Sequence, residues 1–579
     1  MNNTIMQFTI EVNNRQITAR KGETILSALQ RAGIRVPTIC SMKDFSPTGA
    51  CRMCVVEVEG KANLVPSCSY PVEEWMKIYT HSPRVIKARK TIVELLLSNH
   101  PDDCLYCERN GNCELQKLAE ELFVRERRIP GSKTRYKLDK SSPSIVREPS
   151  KCILCGRCVR VCEEVQGVST FDFAFRGSNT QIAAAFSKDL NFSNCIHCGQ
   201  CVVICPTGAL VERVQFPELE QHLHDPKKTV VVQYSPSVTA TLSEEFELKT
   251  GKDWTGILNA LLRKIGFDLI LETSFASDLY VMETTSELVS RIRNKESIPL
   301  FSSCCPGWVK YLEQSRPDLL KHLATTKSPQ QLMGSLIKTR LCEQHRWKSE
   351  QVFSVAIMPC TAKKFESQRV EMTRKGVSDI DLVITTRELA RLIRLYGIDL
   401  NTLDPEYPET SLRAMTSAGK LAGVTGGTME SFIRTFHFRM TGKDLKDFRL
   451  LKIRGMKERR ELKLQIGNQQ YGFAVINGMT ALNQFLNEVE EGRDDIHFAE
   501  VMACQGGCIN GGGQPIRSGE SILRNRIKLV YEQDEKEMIK FAHRNPNITE
   551  LYRDFLGDAD SEKIKTLLHT RYTKRDVLL

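Results

Sequence analysis

Fifteen of the chain's 21 cysteines fall within the first 205 of its 579 residues. A segment so dense in thiols is built around what the thiols bind. The opening stretch, MNNTIMQFTIEV, has no basic region leading into an apolar run, so no secretory signal is expected and the protein is placed in a reducing cytoplasm. There, thiols serve as metal ligands or catalysts rather than disulfides. The other six, Cys304, Cys305, Cys342, Cys360, Cys504 and Cys508, are well separated in a larger C-terminal part. A seam is expected through 214–228, VQFPELEQHLHDPKK, which is polar, holds two prolines and precedes the strand-like run TVVVQYS.

Within the dense third, four patterns follow one another. Cys40, Cys51, Cys54 and Cys68 are spaced C-x10-C-x2-C-x13-C. Four thiolates, three in one loop, suit a 2Fe–2S cluster, with a structural zinc site as the alternative. Around them, Phe8, Ile10 and Val12 alternate as on a half-buried strand, as do Val56 and Val58, and Ile25, Leu26, Leu29 and Ala32 have helical spacing that stops at Gly33. Next, HPDDCLYCERNGNC offers His100, Cys104, Cys107 and Cys113, a donor set for zinc or a 4Fe–4S cluster. Its place between two Fe–S modules favours the cluster. Then CILCGRCVRVC and CIHCGQCVVICP repeat the spacing C-x2-C-x2-C-x3-C. In this bacterial two-cluster pattern the fourth cysteine of each run serves the other run's cluster. Cys152, Cys155, Cys158 and Cys205 should therefore hold one 4Fe–4S cluster, and Cys162, Cys195, Cys198 and Cys201 the other. Four successive clusters make a wire, and something must use its electrons.

Beyond residue 228, apolar runs such as TVVVQYS, FSVAIMPC, DLVITT and FAVING alternate with helical segments, an α/β pattern. Three loops follow such runs. FSSCCPGW carries Cys304 and Cys305, MPCTAKKFE carries Met358, Cys360, Lys363 and Glu366, and EVMACQGGCINGGGQP carries Met502, Cys504 and Cys508. Adjacent cysteines cannot easily ligate one compact cluster, so Cys304 and Cys305 should differ in role. Gly506, Gly507 and the GGGQP run are expected to let backbone approach a bulky cofactor.

These three loops resemble the three motifs of the iron-only (FeFe) hydrogenases, and the order of modules before them resembles the large monomeric clostridial enzymes with four accessory clusters. The resemblance covers essentially the whole chain. It implies an α/β and α+β multidomain protein: a β-grasp ferredoxin-like 2Fe–2S domain at 1–81, a His/Cys3 4Fe–4S domain at 82–142, a two-4Fe–4S ferredoxin-like domain at 143–214, and a two-lobed α/β catalytic domain at 215–579. It implies an H-cluster whose 4Fe–4S part is held by Cys305, Cys360, Cys504 and Cys508. Cys508 would also bridge to a diiron subcluster bearing CO, cyanide and a dithiolate amine. Cys304 would exchange protons with that amine. Lys363 would hydrogen-bond a cyanide, as would the backbone at Pro236 and Ser237. Met358 and Met502 would pack around the diiron site, with Gln330 a weaker pocket candidate. The implied reaction is 2H⁺ + 2e⁻ ⇌ H₂, with a ferredoxin or flavodoxin-type carrier, maturation proteins for the subcluster, and a monomeric chain.

The chain departs from the family along the proton route. Glu287 and Arg291 match, but Thr284 stands where an inner glutamate is expected, and Ala324 where a relay serine is expected. A water chain, Glu283 or Thr325 would have to substitute, with altered rates or direction bias.

Composition narrows the alternatives. A 41% hydrophobic and 26% charged chain of 579 residues suits about three to five folded domains. No run approaches the ~18 apolar residues of a membrane helix. The +11 charge suits an acidic electron carrier. Basic groups cluster at Arg84, Lys87, Arg89 and Lys90 and at Arg125, Arg127 and Arg128, without a nucleic-acid motif. An electron-transfer subunit of a larger complex would account for the first 210 residues alone; a hydrogen sensor or Fe–S assembly factor would share the fold. Cys342, in KTRLCEQHRW, is expected to be a packed thiol.

Overall fold

Alternating apolar residues give each N-terminal strand one inner face. In the computed structural model, which describes residues 7–43, 45–126, 128–247, 253–407, 412–413, 416–516, 519–558 and 561–577, strands Gln7–Val12, Arg15–Arg20, Val55–Val58, Val65–Pro66 and Lys77–Tyr79 form one five-stranded sheet. Ile10, Val12, Ile17, Val56 and Val58 are buried beneath the helix Ile25–Arg31, whose Thr24 cap accepts the N–H of Ser27.

The helix Pro83–Asn99 starts where Ser82 caps it and proline fits its first turn. Its Val93 joins Ile39, Met53, Leu115 and Leu118 in an apolar cluster bordered by Cys51, Cys113 and Cys155. Two of the basic positions are engaged within the chain, one of them buried. Arg89 is buried and donates to the Val55 carbonyl, and Arg128 pairs with Glu94 at 2.8 Å. Arg127 lies outside the described residues.

The duplicated cysteine runs fold as a duplicated backbone. Leu154 and His197 adopt φ of +53° and +57°, Gly156 and Gly199 +73° and +74°. Each glycine then opens a short helix, Arg157–Arg160 and Gln200–Ile204. Strands Ile145–Arg147 and Leu210–Glu212 pair antiparallel and join the module's two ends. The polar stretch at 214–228 contains the helix Phe216–Leu223, and its Leu219 is sunk in the same core as Val230 and Val232.

Continuous apolar runs make strands buried on both faces. Leu269–Glu272, Thr229–Tyr234, Val352–Met358 and Leu382–Thr385 form an all-parallel sheet in that order. Val230, Val232 and Tyr234 enter one core and Val231 another. A second sheet runs Leu300–Phe301, Phe498–Met502, Gln469–Asn477, Arg459–Ile466, antiparallel only at its last pair. Both sheets send the carboxyl ends of their parallel strands to the cysteine loops: Tyr234 to Pro236, Met358 to Cys360, Phe301 to Cys304, and Met502 to Cys504. This is where open parallel sheets place their sites. The long helix Ser274–Asn294 packs beside them, and the C-terminal segment crosses it, with His569 bridging to Thr326. Cys342 packs in a core, its thiol donating to the Ile337 carbonyl. Among the described residues no helix is long and apolar enough to cross a membrane.

Candidate active site

The N-terminal thiols gather in sets. Cys40 lies against Cys51, a hydrogen bond that holds the Cys40 thiol down to about 5 and pushes Cys51 up. Cys54 is likewise held down to about 6 by Cys68. One cavity is lined by His100, Cys104, Cys107 and Cys113. There the ring of His100 sits with Nδ1 3.0 Å from the Pro101 carbonyl, which makes Nδ1 the protonated nitrogen. Its Nε2 is buried without a partner, and burial keeps the imidazole neutral. A free, buried imidazole lone pair beside three thiols is what a ligating histidine requires.

A second cavity is lined by Cys152, Cys155, Cys158 and Cys205, and a third by Cys162, Cys195, Cys198 and Cys201. The fourth cysteine of each run thus closes the other run's cavity. Backbone N–H groups point at the sulfurs: Leu154 at Cys152, His197 at Cys195, both 3.4 Å, and Thr170 at Cys162, 3.2 Å. Such donors favour thiolates and tune a cluster's potential. Among the described residues no three His, Cys, Asp or Glu side chains close on a single point as one ion needs. The donors line cavities.

At the far end, Cys305, Cys360, Cys504 and Cys508 come together from three loops, with Cys304 beside them. Burial pushes the thiols of Cys304 and Cys360 up to about 12, and neighbouring thiols add to this. Cys504 and Cys508 are driven up for the same reasons. So many buried thiols ionise together only around positive metal, which is the fit expected of a cluster. Though deep, Cys304, Cys305, Cys360 and Cys508 keep open surface, as residues lining an internal space do. The Ala503 N–H reaches Cys305 Sγ at 3.5 Å.

Lys363 stands at this space. Burial opposes its charge, but Glu366 at 2.8 Å and the nearby thiols outweigh that and hold the ammonium above its ordinary value. Its Nζ also donates to Ser328 Oγ, 2.9 Å, and the Cys304 carbonyl, 3.2 Å. Gln330 joins the network through Glu366, 3.2 Å, and its Oε1 is buried without a partner. Pro236 and Ser237 begin the helix Pro236–Glu245, where first-turn N–H groups have no acceptor in the helix. Ser237 Oγ is 3.0 Å from Ser235 Oγ.

Met358 packs with Ala356, Ile380 and Val383. The glycines let neighbouring backbone approach closely. A Cβ on Gly511 would lie 2.3 Å from the Pro359 carbonyl oxygen, and one on Gly512 2.2 Å from that of Cys198. Gly507, at φ +90°, leaves space for the Met502 sulfur.

Comparison with known proteins agrees with this geometry. Residues 228–512 match the family model for the iron only hydrogenase large subunit, C-terminal domain, and 520–575 that for the iron hydrogenase small subunit. The NADP-reducing hydrogenase subunit HndD of Solidesulfovibrio fructosivorans is 40% identical over 99% of this chain and 100% of its own. The chain belongs to the iron-only (FeFe) hydrogenases. Iron hydrogenase 1 of Clostridium pasteurianum is 37% identical over 98% of this chain and 100% of its own. The apo FeFe-hydrogenase of Chlamydomonas reinhardtii superposes with a TM-score of 0.57 at 31% identity, covering 62% of this chain and 99% of that one. Ahead of the hydrogenase domain, residues 6–83 match a 2Fe-2S iron-sulfur cluster binding domain, 89–128 the NADH-ubiquinone oxidoreductase-G iron-sulfur binding region, and 142–211 the NADH-quinone oxidoreductase subunit 3 ferredoxin-like domain.

In this hydrogenase, Glu287 sits on the long helix in a stripe with Tyr280, Thr284 and Arg291. Arg291 donates to its Oε1 at 2.7 Å, and Thr325 donates to Oε2 from its N–H, 3.0 Å, and hydroxyl, 3.1 Å. Thr284 and Ala324 are fully buried, and the Thr284 hydroxyl, near the Tyr280 phenol, makes no hydrogen bond. The Ser303 N–H donates to that phenol at 2.9 Å, next to Cys304.

Sequence reasoning missed Gln200 and His569. Gln200 joins the second cysteine run to the catalytic loop by donating to Cys504 Sγ, 3.4 Å. Its signal was present: the two runs differ there, CGR against CGQ. His569 meets Thr325 across 244 residues, and nothing local marks it.

Proposed function

We propose that the chain catalyses 2H⁺ + 2e⁻ ⇌ H₂, with electrons passing through one 2Fe–2S and three 4Fe–4S clusters in the four N-terminal sets. The observation that carries this is the meeting of Cys305, Cys360, Cys504 and Cys508, with Cys304 beside them, at the carboxyl ends of two sheets. When bound there, the H-cluster supplies the iron at which protons and electrons combine. The chain's part is to hold it through those four thiolates and to keep a buried cationic donor, Lys363, at its edge, with the first-turn backbone of Pro236–Ser237 and the Met502 side chain as further walls. Cys304 is the proton-exchanging thiol, and Glu287 with Arg291 belongs to its route to water. Because Thr284 and Ala324 carry no carboxylate or second hydroxyl, the balance of H₂ uptake and evolution should differ from that of a Thr284→Glu/Ala324→Ser variant. Domains at 1–81, 82–142, 143–214 and 215–579 fit this organisation.

The electron partner we propose is a ferredoxin or flavodoxin-type carrier, acting on a cytoplasmic monomer matured by dedicated assembly proteins. A second partner reading is favoured by one observation. The full-length relative HndD is named as a subunit of an NADP-reducing enzyme, so this chain could equally take its electrons within a nicotinamide-linked complex. An assembly-factor role, suggested by the cytosolic iron-sulfur assembly component 3 of Rattus norvegicus at 33% identity over 60% of the chain, is disfavoured by the free Cys304 beside Cys305.

Infrared absorption of the matured protein tests the function. Bands in the CO and cyanide region are expected, and their absence from active-competent protein rejects it. Assays with reduced ferredoxin and with NADPH separate the two partners.

A further inference from the structure

Two glutamates one helical turn apart repel each other. Glu283 and Glu287 keep that spacing on the long helix with side chains only 8% and 12% exposed. Two groups from elsewhere join them. Glu287 Oε2 accepts from Thr325 Oγ1 at 3.1 Å, Thr325 Oγ1 lies 2.8 Å from His569 Nδ1, and His569 Nε2 lies 2.9 Å from Glu283 Oε2. The Tyr552 hydroxyl donates to the other Glu283 oxygen. Every link joins groups able to give or take a proton.

His569, at 21%, is more exposed than Glu283 or Glu287. A neutral imidazole donates at one nitrogen and accepts at the other, so it can take a proton on one side and release one on the other. The charged groups facing it are Glu283 and Glu287, the latter paired with Arg291; Tyr552 faces it too, with Arg439 near that phenol. Inward from Glu287 the helix stripe continues through Thr284 to Tyr280, whose phenol meets Ser303 beside Cys304.

We propose that His569 is the solvent-side proton relay of this chain. It takes up a proton at Nε2, on the Glu283 side, and gives the one on Nδ1 to the Thr325 hydroxyl, which passes its own to Glu287; the helix face from there leads to the Tyr280 phenol and Ser303 beside Cys304, past a Thr284 hydroxyl that makes no hydrogen bond. Glu283 and Tyr552 are positioning residues that hold the ring. Each transfer breaks one N–H or O–H bond and forms another, and H₂ uptake runs the same links in reverse. The proposal rests on the hydrogenase reading above.

The test uses matured full-length protein. His569→Ala and Thr325→Val should each lower H₂ turnover by about tenfold or more, with iron content and infrared bands as in the parent. Added imidazole should restore His569→Ala but not Thr325→Val, and Thr325→Ser should keep most activity. Parent-like turnover and pH profile in both His569→Ala and Thr325→Val overturn the proposal. A parent with no infrared bands overturns the hydrogenase reading itself, and the proposal with it.

Discussion

The Gln200 amide nitrogen lies 3.4 Å from Cys504 Sγ while it also donates to the Asn510 carbonyl at 2.9 Å, so one side chain ties the last relay loop to the catalytic loop. An N–H aimed at a ligating sulfur stabilises the more negative, reduced state of what the sulfur holds. Gln200→Leu should therefore move the midpoint potential of the catalytic 4Fe–4S unit downward and slow turnover with a weak reductant. A redox titration followed by electron paramagnetic resonance checks this, and an unchanged midpoint would deny the contact any electronic role.

Gly512 carries the closest approach of the same two loops. A methyl there would meet the Cys198 carbonyl oxygen at 2.2 Å and the Gly199 Cα at 2.6 Å. Overpacking of this kind costs about 1–3 kcal/mol. Gly512→Ala should lower the melting temperature and slow carrier-driven H₂ evolution together; a parent-like rate would mean the loops tolerate separation.

Cys304→Ala removes the one thiol at the site that is free of proposed ligation. Turnover should fall by about 10²–10⁴-fold, the usual worth of a positioned acid or base, while iron analysis stays at the parent value. Full activity would sink the assignment.

Lys363 and Glu366 form a buried pair whose side chains are 11% and 3% exposed. Removing one partner of such a pair strands the other, at about 3–5 kcal/mol. Lys363→Met should lose stability of that order in urea unfolding, and adding Glu366→Met should recover much of it. Equal stability of the single variant and the parent would contradict the buried pairing.

Asp278 gives the chain a pH dependence. Burial is the main cause raising its carboxyl to about 7, against the hydrogen bonds from Thr416 and Asn545. For an acid whose folded value is raised, the stabilising contribution is complete below the unfolded value near 4 and is lost as pH rises through the folded one. Unfolding free energy should thus decline between about pH 4 and pH 7, by a few kcal/mol from this group. Asp278→Asn should flatten that slope in melts across the range, and an unaltered slope would count against it.

What could be read in the sequence was local. Four-residue cysteine spacings fix which thiols share a loop, and uninterrupted apolar runs such as VFSVAIM become strands buried on both faces. Long-range packing was not legible. The pattern of Gly511–Gly513 predicts freedom of backbone but not that Pro359 and Cys198 would fill the space. Arg89, one of a surface-like basic run, turns inward because the Val55 carbonyl offers an acceptor. Met358 ends a strand beside a site residue, and its partners Ile380 and Val383 come from another stretch of chain that nothing around MPC foretells.

The exchange of Cys162 and Cys205 between the two cavities has a bearing on assembly. Neither pocket is complete until both cysteine runs have been made and brought together, so the pair must be filled as one interlocked unit. Losing a single crossing thiol would injure the cavity of the opposite run, and damage at either end of the repeat would be felt at the other.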